Sequence, residues 1–578
     1  MIKLCFYLAI FFMSITSSSA YATDNKFITL CYHDIIDGLS DDLGEDQMAV
    51  GLNNLIAQFS WMKDQGYNVV SLQDILDAKQ GGKPLAEKAV LITFDDGYSS
   101  IYKYLYPLLG MYDYTAVIAV VGKWLSAKPG ESVKYGDRDK KLRSEFLSWD
   151  QLREMQASGH IEIASHSFDL HHGELGNPQG NRQPSATTRI FNKKVQSYET
   201  DQQYYERIKT DLKSNSDLIE KHTGVRPRTM VWPYGASSKQ TVSIAKELGM
   251  PVTLTLKAGN NAYIDLPEVR RKLVISNPSL SDFVNDMEQK DKQMDLVRGV
   301  RVSIDDIYDK DPKLFTLKFN QLLDRIKAMK VNTVYLSAFS DADNDGYAES
   351  VYFSSKHFPT RADILNRISW QIQTRAGGGD HIEVHTWMPI IAFEDAQGNQ
   401  ISEQAILGLY EDMAKHAYVE GLLFSDLKGA GSEGFPKKLI NTVKNFRSRA
   451  KKEAILLSSQ AVIDAAGNSN YWATLNKYYN SFVVNIDFQS ESPEAHIESL
   501  LQALPKHEDL NNFIFELQTE NRKTNEKIPA TILSSEIDFL LENKAIQLSY
   551  YPDDLQANHP PLDMIKSKIS VREFPFSD

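Results

Sequence analysis

The stretch Ala89-Val90-Leu91-Ile92-Thr93-Phe94-Asp95-Asp96-Gly97 decides the fold. Six apolar or β-branched residues in a row read as a buried strand. Asp95 and Asp96 then place two adjacent carboxylates at its C-terminal lip, and Gly97 permits a tight turn. Adjacent side chains at a strand end diverge, so one can ligate a metal while the other faces a substrate. Taken alone, Asp-Asp-Gly is more often a turn than a site.

Outward from this strand, residues 114–121, 161–165, 229–232 and 251–256 are further β-rich runs. Helical pattern alternates with them. In 52–65, Leu55, Ile56, Phe59 and Met62 share one face, and 204–221 is helical too. The stretch 27–275 therefore reads as an α/β domain with a largely parallel sheet. Polar, charged sequence at 280–296 reads as a helix or linker at a boundary.

The second half repeats a unit. Eight β-like runs lie at 299–304, 333–339, 382–393, 421–425, 454–459, 482–486, 513–515 and 545–551. Amphipathic stretches such as 315–329, 404–417 and 532–541 separate them. Eight βα units predict a (β/α)8 barrel, with an open doubly wound sheet as the alternative. Functional groups of such barrels follow the strand ends. Those positions hold Asp305, Asp306, Asp341, Glu394, Asp426, Asp487, Glu516 and Asp553, near Tyr550, Tyr551, Phe393 and Trp387. Carboxylates bind hydroxyls or amines and aromatic faces stack on sugar rings, so the set suits carbohydrate. Any one of these acids alone is more readily a helix N-cap.

Composition bounds the rest. A chain of 578 residues forms more than one domain. Its net charge of −13 argues against nucleic acid, because phosphate binding needs a basic face. Lys3, the apolar run 4–15 and Ala20-Tyr21-Ala22 predict a secretory signal peptide cleaved after Ala22. The run is short for a hydrocarbon core of ~30 Å. Cys5 lies in that leader and Cys31 is alone after it, so no intramolecular disulfide is expected. No lipid-attachment cysteine stands at the cleavage point.

His166 and His171 change the weight of Asp95-Asp96. His166 ends the run 161–165 and His171 follows across a turn, beside His172. Two imidazoles and a carboxylate make a three-ligand site with open positions, the pattern of a catalytic metal centre. Such an ion activates water and polarises a carbonyl. Asp95 then fits a general base and Asp96 a ligand. A leaving amine needs an acid, and His33, after the apolar run before it, is the candidate. A core histidine is the competing reading of His33.

At these residues the chain resembles the polysaccharide deacetylase superfamily (NodB homology, carbohydrate esterase family 4). Thr93–Gly97 matches its first motif; Ser165-His166 with Asp169-Leu170-His171-His172-Gly173 matches its second. Val231-Trp232-Pro233-Tyr234-Gly235 matches its third, which shapes the groove wall. Within the superfamily it is similar to the branch of poly-β-1,6-N-acetyl-D-glucosamine N-deacetylases of biofilm export. His33 before the Asp-Asp motif fits that branch's rearranged motif order, and Asn177-Pro178, Gly180-Asn181, Gln183-Pro184 and Ala186-Thr187-Thr188-Arg189 continue the match.

The resemblance implies Asp95 as base, His33 as acid, and Asp96, His166 and His171 as ligands of one divalent ion (zinc, or cobalt, nickel or iron). Trp232, Pro233 and Tyr234 would line the groove. It implies a NodB-type distorted (β/α) barrel followed by a (β/α)8 glycosidase-like barrel that binds the polymer and, in one reading, cleaves it. Asp305, Asp306, Asp426, Glu516, Tyr551 and Asp553 are its candidate sugar-binding groups. The expected division is 1–22 leader, 23–279 deacetylase, 280–297 boundary and 298–578 barrel. The expected partners are an N-acetylglucosamine polysaccharide and outer-membrane export machinery, in the periplasm or at the outer membrane. Another N-acetylglucosamine polymer, or an export scaffold with weak catalysis, is the alternative. Two departures stand out. Trp232 occupies a position where many relatives carry arginine, and Phe424-Ser425-Asp426-Leu427 holds one acid where relatives hold a pair.

Overall fold

The computed structural model describes residues 26–37, 47–136, 139–288, 296–376, 382–425, 434–447, 452–486, 492–505, 510–521 and 524–571. The leader, Asp426 and Asp487 lie outside them.

The first unit is built on a nine-stranded sheet. From one side its order is Val252–Leu254, Thr229–Val231, Ile161–Ser165, Ala116–Val120, Ala89–Phe94, Lys26–Tyr32 and Asn261–Ala262. All of these pairings are parallel except the last, which is antiparallel. The sheet curls toward closure. Leu254 bridges Val269, and Lys272–Leu273 pairs parallel with Lys26–Tyr32, so the segment 269–273 runs from the last strand back to the first.

The central strand explains itself. All six residues of Ala89–Phe94 are buried. Val90, Ile92 and Phe94 pack with Leu55, Phe59, Leu109 and Leu152 of the surrounding helices. Ala89 and Leu91 join the opposite cluster, with Val117, Ala119, Ala164, Val231 and Leu254. Period-2 alternation thus feeds two cores from one apolar run. Each large apolar side chain so buried contributes about 1.5–3 kcal/mol.

The second unit is a closed barrel of eight parallel strands. They are Gly299–Val302, Thr333–Ser337, Glu383–Met388, Gly421–Phe424, Lys452–Ser458, Ser481–Ile486, Phe513–Gln518 and Leu548–Tyr551, paired in chain order. Arg298 bridges Leu548 and closes the ring. Val297, Tyr335, Leu423, Ala454, Val483 and Ile514 form a small cluster of their own, separate from the large core between strands and helices. All eight expected runs are strands, and the open sheet is excluded by the closure.

The strand ends differ from expectation, and this moves the acids. The seventh strand continues to Gln518, so Glu516 lies within it and is fully buried. The third strand ends at Met388, leaving Glu394 in a loop where it bridges Gln400. The expected ring of carboxylates at one mouth is therefore incomplete among the described residues. The stretch at 280–296 begins with a helix, Leu280–Glu288, which buries Phe283 and Met287. No helix among the described residues is long and apolar enough to cross a membrane.

Candidate active site

The lip of the first sheet gathers the predicted metal and acid–base residues. Asp95 and Asp96 leave the end of Ala89–Phe94, His166 leaves the end of Ile161–Ser165, and His33 follows Lys26–Tyr32. Pairing of these strands with Ala116–Val120 in parallel register brings their C-terminal ends together. Asp95, Asp96, His33 and His166 are each at most 8% exposed.

Backbone conformation separates the two carboxylates. Asp96 has φ +70° and Gly97 φ +70°, so the chain turns sharply at the second acid. A Cβ at Gly97 would also stand 3.0 Å from Val120 Cγ1, which leaves glycine as the fitting residue. Ser167 (φ +70°) and Tyr234 (φ +58°) adopt the same left-handed region nearby. Each such residue stores about 1–3 kcal/mol that surrounding packing must overcome.

Asp96 Oδ1 is buried and accepts no hydrogen bond. The Nε2 atoms of His171 and His166 lie 3.3 and 3.4 Å from it. His166 Nδ1 contacts the Val231 carbonyl oxygen at 2.8 Å. A carbonyl can only accept, so Nδ1 carries the proton, and in the neutral ring the Nε2 lone pair faces Asp96. Two acceptors then face each other, which a cation between them would resolve. Ligand atoms ~2.0–2.1 Å from a tetrahedral ion stand roughly 3.3–3.4 Å apart. The donor set thus fits a divalent metal.

His171 is oriented by packing. Its Nδ1 has no hydrogen-bond partner. Its ring lies 4.7 Å from that of Tyr234, 4.9 Å from Trp124 and 5.8 Å from Tyr135. The loop that carries it is held by Asp211, whose two oxygens accept from the backbone N–H groups of Phe168 (2.9 Å) and Asp169 (2.7 Å). Burial pushes the Asp211 carboxyl up to about 7, against those two amides. One turn on, Asn215 donates to Ser165 Oγ (2.8 Å) and the Val120 carbonyl (3.1 Å). Both lie on the helix Asp201–Thr223.

Asp95 is clamped. Arg271 donates through Nη1 and Nη2 to its two oxygens at 2.7 and 2.8 Å. Arg271 is itself fixed by donating to the Thr255 carbonyl and Thr93 Oγ1. Burial works to raise the Asp95 carboxyl, but Arg271 and then His166 outweigh it and hold the group below the usual carboxylate range. Burial lowers the His33 imidazole, opposed by Asp95 and Asp96. His33 Nδ1 has no hydrogen-bond partner. Cys31 Sγ lies 3.6 Å from Asp95 Oδ2.

The groove residues divide. Trp232 is fully buried in a core with Leu170, Met230 and Ile244, and Pro233 is buried too. The left-handed turn at Tyr234 carries that ring alone to the site. Its successor Gly235 packs so tightly that a Cβ would stand 2.5 Å from the Leu256 nitrogen.

In the barrel, Asp305 accepts from Tyr352 (2.6 Å), Ser340 (2.8 Å) and Arg361 (2.9 Å). Asp306 is exposed beside it. Both oxygens of Glu516 are taken by Arg301 (2.8 and 2.9 Å), and Asn485 donates to one of them. The Arg301 guanidinium lies 3.7 Å over Tyr551 and 4.3 Å over Trp387. Asp553 is clamped by Arg325 at 2.8 Å. Glu516, Asp553 and Asp305 are thus each paired with an arginine, while Asp306 stands exposed.

Sequence reading missed Arg271, Asp211, Asn215 and Tyr135, whose hydroxyl donates to Asp96 Oδ2 at 2.8 Å. Signals existed for two of them. Val269, Arg271 and Leu273 alternate, which puts Arg271 on a strand's apolar face. Asn215 falls on the apolar stripe of Ile208, Leu212 and Ile219.

The chain is similar to known proteins. Residues 82–253 match the family model for polysaccharide deacetylase, and residues 301–406 match that for hypothetical glycosyl hydrolase family 13. A poly-β-1,6-N-acetyl-D-glucosamine N-deacetylase of Escherichia coli K12 is 29% identical over 642 residues, spanning 96% of this chain and 93% of the relative. A solved de-N-acetylase from Aggregatibacter actinomycetemcomitans is 37% identical, covering 45% of this chain and 99% of that one, with a TM-score of 0.43. The glycoside hydrolase domain of PgaB (BpsB) from Bordetella bronchiseptica is 26% identical, covering 48% and 99%, with a TM-score of 0.43. Fold and site define a hydrolase of carbon–nitrogen bonds in linear amides. Residues 82–253 are a polysaccharide deacetylase domain, and a glycosidase-like barrel follows it.

Proposed function

We propose that this protein removes acetyl groups from N-acetylglucosamine units of poly-β-1,6-N-acetyl-D-glucosamine during export of a biofilm polysaccharide. The observation that carries the reading is the convergence of Asp96, His166 and His171 on one point beside the clamped Asp95. The polymer is the one named for the Escherichia coli relative, whose likeness spans both barrels. Read this way, 1–22 is a leader directing the chain across the inner membrane, 23–279 the deacetylase, 280–297 the boundary and 298–578 the polymer-holding barrel. Its place is the periplasm, next to outer-membrane export machinery.

Asp96, His166 and His171 would hold one divalent ion, zinc or else cobalt, nickel or iron. When bound there, the ion supplies Lewis acidity toward water and the acetyl carbonyl. Asp95 takes the proton of the attacking water as general base. Arg271 keeps Asp95 ionised and aimed. His33, on the neighbouring strand end, gives a proton to the departing glucosamine nitrogen. Tyr234 walls the site beside His171. Asp306, exposed beside the Arg361-paired Asp305, favours the cationic amines that deacetylation exposes.

The test is amine release from defined β-1,6 and β-1,4 N-acetylglucosamine oligomers after metal reconstitution. Turnover of the β-1,6 series, abolished in Asp95→Asn, supports the reading. Equal turnover of both series removes the linkage assignment, and activity surviving in Asp95→Asn removes the base.

A further inference from the structure

The two neighbouring carboxylates are treated differently by the protein. Asp95 meets a guanidinium on both oxygens. Asp96 meets a neutral phenol on one oxygen, Tyr135 Oη to Oδ2 at 2.8 Å, and its Oδ1 is left without a hydrogen bond between two imidazoles. A cation would cancel the charge that a metal needs; a phenol leaves it in place.

Tyr135 comes from outside the sheet that supplies the other groups. It ends the first strand of the hairpin Ser132–Tyr135/Asp139–Leu142. That hairpin is anchored at several points. Trp124 Nε1 donates to the Lys134 carbonyl at 3.1 Å, immediately before Tyr135. Arg143 donates to the carbonyls of Leu125, Phe146 and Leu147 at 2.9–3.1 Å. The Tyr135 ring lies 5.1 Å from Trp124 and 5.8 Å from His171, with the Lys141 ammonium 5.1 Å above it. Its hydroxyl is therefore aimed before any ligand arrives.

We infer that Tyr135 is a positioning residue that restricts Asp96 to one-oxygen coordination and so keeps a position on the metal open for water and the acetyl oxygen. This rests on the metal-site reading above. An ionised carboxylate offers two equivalent oxygens and can chelate. A hydrogen bond that commits Oδ2 to Tyr135 leaves only Oδ1 for the ion. The three residues then supply three ligand atoms, the number that leaves a catalytic centre open. His166 is oriented through Val231 and His171 through ring packing, so each ligand has its own support. Partners of metal ligands change metal affinity about 10–100-fold when removed.

The experiment uses the full chain stripped of metal and titrated with zinc alone against a chromogenic chelator. Tyr135→Phe keeps the ring and removes only the hydroxyl. The inference expects zinc affinity, measured on protein that circular dichroism shows to be folded at the assay temperature, to fall about tenfold or more. With cobalt(II) in place of zinc, the visible bands should weaken in Tyr135→Phe as the freed carboxylate chelates and coordination number rises. Unchanged affinity and spectrum overturn the inference while leaving the metal site intact. Wild-type protein that binds no zinc overturns both. A zinc-loaded wild-type crystal structure decides the matter even if the variant folds poorly: Asp96 bound through both oxygens overturns the inference, and Asp96 bound through Oδ1 with Oδ2 on Tyr135 supports it.

Discussion

Arg271 and Asp95 form a two-pronged ion pair at 2.7 and 2.8 Å, with side chains 0% and 3% exposed and 176 residues apart in sequence. Its partners are not interchangeable with solvent. Removing one partner of a buried pair leaves a bare charge and costs about 3–5 kcal/mol. Arg271→Met should therefore lower the melting temperature sharply and abolish turnover. Asp95→Asn combined with Arg271→Met should be more stable than Arg271→Met alone, because the orphaned carboxylate is gone. Thermal melts of the three variants check this, and a double variant no better than the single one would count against the pair.

Asp211 should control the loop that carries His171. It is the shared acceptor for the Phe168 and Asp169 amides. Unsatisfied buried donors cost about 1–3 kcal/mol each. In Asp211→Ala, hydrogen exchange at these two amides should accelerate about tenfold or more, since 1.4 kcal/mol is one decade. Exchange in the strand Ala89–Phe94 should not change.

Metal removal should be visible as lost stability. An ion present at a hundred times its dissociation constant adds about 2.7 kcal/mol to the folded state. For a domain of this size that corresponds to roughly 5–10 °C in melting temperature. Chelator should produce this drop in wild type and little or none in Asp96→Ala. An equal drop in both would place the responsive metal elsewhere.

Glu536 gives a pH prediction away from the site. It lies on the buried face of the helix Ala530–Glu542 and is 3% exposed. Burial alone pushes its carboxyl from 4.5 up to about 7. The folded state favours the protonated form, so the side chain is tolerated below pH 4.5 and becomes a liability as pH rises toward 7. Glu536→Gln removes that liability. It should match wild type at pH 4.5 and exceed it by about 3 kcal/mol at pH 8, at ~1.4 kcal/mol per pH unit. Melting curves at the two pH values test the sign.

The strands themselves are legible because each unit repeats a local pattern, apolar run then amphipathic helix, that needs no distant information. The gathering of Asp95, Asp96, His33, His166 and His171 was legible for the same reason, since each ends or follows such a run. What escaped was pairing across the fold. Nothing local to Asp95 points to Arg271, and nothing local to Glu516 announces Arg301, 215 residues away. Without that partner an internal glutamate reads as a strand end, so the sequence pattern stops at Phe515 although the strand continues to Gln518. Trp232 reads as groove wall from sequence but is buried, because a left-handed turn at Tyr234, invisible to periodicity, swings one aromatic ring out and leaves the other in the core.

The segment 269–273 closes the first barrel and carries Arg271. One short stretch therefore both joins the edges of the sheet and supplies the countercharge of Asp95, the proposed base. A chain that ends before it, or in which it has not docked, has the proposed metal ligands and the Asp-Asp pair but no countercharge for Asp95 from Arg271. On the proposed role of Asp95, chemical competence is thereby tied to completion: the base is held and aimed only once the last piece of the sheet is in place.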